Sequence, residues 1–351
     1  MRVGSLARII YLHLFTFGAS IQSRFMRSTG VRCFVTTLAL RKPAPCLVSP
    51  TTPAKNMSEF PPLPYDEWIP TRIGLHLRCQ IIGKIRLSLM PKRNHWWHVP
   101  LYVSTRGLTT RPMPVGDGRL VEIEVNVLGH FVQVRCTDGR HRRIPVEDGQ
   151  SVKAFYKAFM SALDDLDVNV SIRPVPFDAP STIPFAEDME HTEYDAAYVQ
   201  RFWRVLTQVQ PVFQTFQGRY LGKDTPVHLF WHSFDLAYTR FSGKEGPEMP
   251  DADPVTREAY SHEVISFGFW AGDASTPEAG FYSYTYPEPP GIVDSELEPD
   301  AAVWNTGDSG ALAFYPYAAM READDPEGAL LAFLQSTFDA GASAPSSGFV
   351  R

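Results

Sequence analysis

Four stretches of the chain carry apolar residues at helical spacing. Ile73, Leu77, Ile81 and Ile85 recur every four residues, and Tyr198, Phe202, Val205, Val209, Val212 and Phe216 alternate between steps of four and three. Val152, Phe155, Phe159 and Leu163 form a third stripe, and Leu330, Phe333, Leu334 and Phe338 a fourth. Such spacings repeat one face of an α-helix, whose turn takes about 3.6 residues. Pro211 lies inside the second stripe and predicts a kink, because proline lacks the N–H and crowds the preceding turn.

Between the stripes the period changes to two. Val121, Ile123, Val125 and Val127 alternate with Glu122, Glu124 and Asn126, which predicts a strand with one buried face. Phe131 to Cys136 and Arg140 to Val146 follow, joined by Asp138-Gly139, a hairpin signal. Farther on, Glu263 to Trp270, Phe281 to Tyr286 and Ala311 to Tyr315 read as strands with longer, Pro-rich loops between them. Strand–helix–strand alternation and a Gly-rich phosphate loop are both missing, which disfavours a Rossmann-type fold.

The order reads helix, about four antiparallel strands, helix, written twice. Trp97-His98 is followed seven residues after His98 by Thr105-Arg106, and Trp231-His232 seven residues after His232 by Thr239-Arg240. Each pair brackets a β-type segment, Val99 to Ser104 and Ser233 to Tyr238. The expected fold class is therefore α+β, a tandem duplication of a helix, a four-strand antiparallel sheet and a helix. The units fall at residues 63–173 and 194–340, with a linker at 174–193 and a tail at 341–351.

Several runs in these units are distinctive. They include Gly83-Lys-Ile-Arg-Leu, Asn94-His-Trp-Trp-His-Val-Pro-Leu-Tyr-Val, Phe234-Asp-Leu-Ala-Tyr-Thr-Arg-Phe-Ser-Gly and Tyr286-Pro-Glu-Pro-Pro-Gly. Together they resemble the uncharacterised family catalogued as domain of unknown function 5996, over about Leu63 to Ala340. The resemblance implies a single module beginning near Met57, and it implies no activity.

Charge separates this module from what precedes it. Residues 1–58 carry eight basic side chains and no Asp or Glu, whereas the rest carries 25 basic and 39 acidic ones, a charge of −14. An acid-free, Arg- and Ser-bearing N-terminus has the composition of a mitochondrial presequence. The other reading takes residues 1–56 as an upstream artefact and Met57 as the working start, which makes the protein cytoplasmic. Under either, residues 1–57 form an extension outside the fold. The acidic balance argues against nucleic acid as a partner. No apolar run is long enough to span a bilayer, so no membrane insertion is expected. The four cysteines, Cys33, Cys46, Cys79 and Cys136, show no metal-finger spacing. Neither a cofactor nor an oligomeric state follows from the residues.

Candidate chemistry gathers around the two Trp-His pairs. His98, His262, Glu263 and Asp235 are a His–carboxylate set suited to general acid–base work. Arg106 and Arg240, at matching positions in the two units, are candidates to clamp a carboxylate or phosphate, with Trp97, Trp231 and His95 beside them. Alternatively, each arginine pairs with a strand acid such as Glu122 or Glu263. No metal site is expected, since residues three apart on a strand face opposite sides. Aromatic residues crowd the strands, which predicts an aromatic-lined cleft between the repeats for a small anionic or polar ligand. The alternative function is a non-catalytic protein-interaction module using the Pro-rich loops at Pro247 to Pro254 and Pro287 to Pro290.

Overall fold

The first helical stripe becomes α1 (Ile69–Leu89), with Pro70 in its first turn, where the absent N–H costs no hydrogen bond. The structure, a computed structural model, describes residues 60–307, 310–343 and 348–349, so the extension at 1–57 lies outside the described residues. α1 is buried on all sides rather than on one face. Leu77, Ile81 and Ile85 are inaccessible, and so, nearly, are Arg72, His76, Arg78, Gln80 and Arg86. The cause is its position, against α2, α3 and the first sheet.

That sheet contains β1 (Tyr102–Ser104), β2 (Gly107–Thr109), β3 (Met113–Pro114), β4 (Leu120–Asn126), β5 (Phe131–Cys136) and β6 (His141–Pro145). Its order is β1-β2-β4-β5-β6, with β3 also paired to β4, and every pair is antiparallel. Asp138-Gly139 makes the expected turn, with Gly139 at φ 89°, a conformation open to glycine at little cost. α2 (Val152–Asp164) is capped by Ser151, whose Oγ accepts the Ala154 N–H at 3.2 Å, and packs on β6.

α3 (Ala196–Gln217) starts at the N-cap Asp195 and continues through Pro211. The second sheet follows with β7 (His228–Phe230), β8 (Asp235–Glu245), α4 (Pro254–Ala259), β9 (His262–Trp270), β10 (Gly280–Tyr286), β11 (Val303–Gly307) and β12 (Gly310–Pro316). Its order is β11-β12-β10-β9-β8-β7, again fully antiparallel. α5 (Tyr317–Glu322) and α6 (Pro326–Gly341) close the chain, and α3 and α6 cover one face of this sheet.

The fold is thus α+β with two antiparallel sheets, each of six strands rather than four. The two bracketed segments do not occupy matching places. Tyr102–Ser104 is the outermost strand of its sheet, while Asp235 to Tyr238 lie on β8, one strand inside β7. β7 is only three residues long, too short to show a period.

The halves meet at β1 and β7. Leu101 and Leu229 exchange N–H···O bonds of 2.8 Å, and the Trp231 indole N–H donates to the Val99 carbonyl at 3.1 Å. The Trp231 ring occupies the space left free by Gly83 on α1. A Cβ there would sit 2.2 Å from two ring carbons, well inside contact distance. Gly83→Ala is expected to lower stability by about 1–3 kcal/mol through overpacking. Urea melts check this, and an unchanged midpoint would mean that helix and ring are not so apposed.

Candidate functional site

Residues along β8 divide by parity. Leu236, Tyr238 and Arg240 face the helices, and Asp235, Ala237, Thr239 and Phe241 face the other way. On β9 and β10, Val264, Ser266, Trp270, Tyr282 and Tyr284 share that second side. This face carries a cavity of about 180 Å3. Its cover comes from α4 and from His95, Trp96 and Trp97 of the first half, which α4 packs against. No arginine or lysine lines it among the described residues.

At its floor lies Asp235, 6% exposed. Its carboxylate accepts hydrogen bonds from the hydroxyls of Ser233 and Tyr282, and among the described residues no cation bonds it. Tyr282 is on β10 and Asp235 on β8, so the phenol must cross β9. It does so over Gly268, its partner in register, where a Cβ would lie 2.3 Å from the ring. Burial pushes the Asp235 carboxyl above its ordinary value, and the two hydroxyls pull it partly back. Burial and the neighbouring carboxyl hold the Tyr282 phenol well above its usual range.

Around this acid the walls are aromatic and hydroxylic. Thr239 and Ser266 share a 2.9 Å hydrogen bond, and the Tyr260 hydroxyl donates to that of Tyr284 at 3.2 Å. The Trp96 indole N–H and His232 Nδ1 are buried without a hydrogen-bond partner among the described residues. His95 Nδ1 donates to the Glu258 carbonyl and Nε2 accepts from Lys223 Nζ, each at 3.1 Å, which fixes its tautomer. Burial and then the Lys223 charge push His95 down to about 4, so it is neutral at physiological pH. His95, Trp96 and Phe234 have φ of 54°, 60° and 60°, left-handed values that cost a residue with a Cβ some strain. All three adjoin the cavity, the last as the neighbour of Asp235.

Of the residues expected to form a site, the structure brings together Asp235, His95 and Trp97. Arg106 and Arg240 do not converge. Arg106 is exposed in the turn after β1. Arg240 points to the opposite face, where Nη2 donates to the Phe216 carbonyl at 2.6 Å and Nε to the Tyr238 hydroxyl at 3.2 Å. Glu263 is also on that face and accepts from Ser242 at 2.7 Å. His98 stacks on Trp96 and accepts the Arg93 N–H at 3.3 Å, holding the turn rather than lining the cavity. His262 packs edge-on against His95 and hydrogen-bonds Ser261 at 3.1 Å. Ser261 donates its proton to the Glu258 carbonyl, so it is not a serine poised against a base. Trp231 is committed to the joint between the halves.

Sequence reasoning passed over Ser233, Tyr260 and Trp96 as polar members of the site. The signal for Trp96 and Tyr260 was present, in the aromatic crowding and in the helix start Asp253-Pro254 that brings α4 over the sheet. The Pro247 to Pro254 loop exposes its prolines and is anchored to the sheet from within. Its Met249 packs with Phe241 and Tyr260, and its backbone carbonyls accept from Arg257.

Among the described residues, no three His, Cys, Asp or Glu side chains converge on a common point, and no helix is long and apolar enough to cross a membrane. Searches of curated proteins and of solved structures return no match to this chain. A family profile described as a family of unknown function (DUF5996) matches residues 60–346, and the chain belongs to that family.

Proposed function

We propose that this chain binds a small organic cation, an amine or quaternary ammonium, in the cavity over the second sheet. One observation carries the reading: the Asp235 carboxylate is buried and hydrogen-bonded to hydroxyls, and among the described residues no Lys or Arg bonds it, under aromatic walls. An unpaired buried carboxylate is costly, and a ligand cation would compensate it. Ring faces attract the same charge, and Trp96, Trp97, Trp270, Tyr282 and Tyr284 supply them. The earlier expectation of an anionic ligand rested on Arg106 and Arg240, which point elsewhere. A carboxyl raised by burial is also suited to exchanging a proton with a bound ligand.

Tryptophan emission tests the proposal, because three indoles line the cavity. Choline and butylamine are expected to change the emission saturably, and 3,3-dimethylbutanol, the uncharged analogue of choline, is not. Equal responses to charged and uncharged analogues would overturn the charge reading.

A further inference from the structure

We propose that Arg86, Arg111 and His228 form a binding site for an oxyanion, a phosphate or carboxylate group, where the edges of β1 and β7 meet. This proposal is independent of the Asp235 reading. The cluster lies beyond Phe230, whose ring lines the cavity on one side and meets His228 edge-on at 4.8 Å on the other.

Arg86 sits in the last turn of α1, 3% exposed. One of its terminal nitrogens donates to the Thr110 carbonyl, while Nε is buried with no partner among the described residues. Its guanidinium lies 5.5 Å from the centre of the Tyr102 ring, and that of Arg111 lies 3.5 Å from the same centre. His228 is 1% exposed, meets Tyr102 edge-on at 6.2 Å, and has an unpartnered Nδ1. Burial first, and then the charges of Arg111 and Arg86, push His228 down to about 3. Arg86 is lowered by burial, Tyr102 opposes this, and the charges of Arg111 and Arg93 add to it.

No carboxylate answers these charges. Among the described residues, Arg86, Arg93 and Arg111 take part in no ion pair. Arg86 alone of these is a buried cation, and a buried guanidinium without a counter-charge is costly, more so with the Arg111 and Arg93 charges nearby. The backbone nevertheless holds them there. Arg111 has φ 56°, a left-handed value, fixed by its N–H donating to Thr109 Oγ1 at 2.9 Å and its carbonyl accepting from Thr110 Oγ1 at 2.8 Å. The left-handed turn keeps the Arg111 guanidinium on the Tyr102 ring that Arg86 and His228 also border, and an oxyanion bound beside that ring would answer these donors, since guanidinium groups match a planar or tetrahedral oxyanion.

The test uses the full chain, titrated calorimetrically with inorganic phosphate and separately with acetate, at ionic strength held constant with sodium chloride. Saturable binding of one or both is expected, and the stronger of the two identifies the group. Arg111 is exposed, so Arg111→Ala keeps the fold, and it is expected to weaken binding roughly tenfold or more, with partial recovery in Arg111→Lys. Arg142→Ala, an exposed arginine on β6, is expected to change nothing. Absence of saturable binding by either ion overturns the proposal, as does undiminished affinity in Arg111→Ala.

Discussion

Asp235→Asn is expected to melt at a higher temperature than the parent at pH 8, while losing its response to choline. The sign follows from the direction of the carboxyl's shift. Burial raises Asp235 in the folded state. Its favourable contribution is therefore complete below the ordinary carboxylate value, about 3.9, and is lost as pH climbs through the raised folded value. Asparagine is neutral throughout, so its advantage opens as pH rises and vanishes in acid. The Ser233 and Tyr282 hydroxyls can rotate to serve an amide as donors or acceptors. Relief of an uncompensated buried charge is expected to gain on the order of 1–3 kcal/mol, or several degrees of melting temperature for a chain of this size. Such a gain in stability with a loss of binding marks a residue kept for function. Melts of both proteins at pH 4 and pH 8 decide it, and a variant that is less stable at pH 8 would make Asp235 a structural acid.

Arg240→Ala is expected to lose about 2–4 kcal/mol, with no change in the choline response. The guanidinium lies 3.6 Å from the Phe216 ring centre and 4.4 Å from that of Phe338, and removing it leaves a void between β8 and the two covering helices. Arg240→Met restores most of the volume without the charge, so it is expected to cost less than about 1 kcal/mol. Equal costs for Ala and Met would mean that the charge, not the stacking, holds this place. A fall in choline affinity in either variant would place Arg240 at the site after all.

Much of this architecture was legible from periodicity, and the exceptions share a cause. α2, α3, β4, β9 and α6 are long enough to repeat a pattern. β7, β3 and α4 span three, two and six residues, so nothing can repeat in them. The missing β7 shifted the comparison of the halves by one strand and set Arg106 against Arg240. Pleat parity then placed Asp235 and Arg240, an odd number of residues apart, on opposite faces of β8. For the cavity, the tryptophan and histidine crowding at 95–98 pointed to the right segment. The pairing of Asp235 with Tyr282 was not readable, because it depends on which residue of β9 lies between them, and only the register shows that it is Gly268.

The reciprocal Leu101–Leu229 bridge has a consequence for how the molecule behaves in a crowded solution. An open strand edge invites a strand from another copy, and two separate six-stranded sheets present four such edges. Here β1 and β7 face each other across that bridge, each guarding the other. Of the edges left over, β6 is short, exposes His141, Arg142 and Arg143, and ends in Pro145, features that repel or refuse an incoming strand. Docking the halves edge to edge thus makes self-association at the joint a competitor of folding, one that the native contact shuts out as soon as it forms.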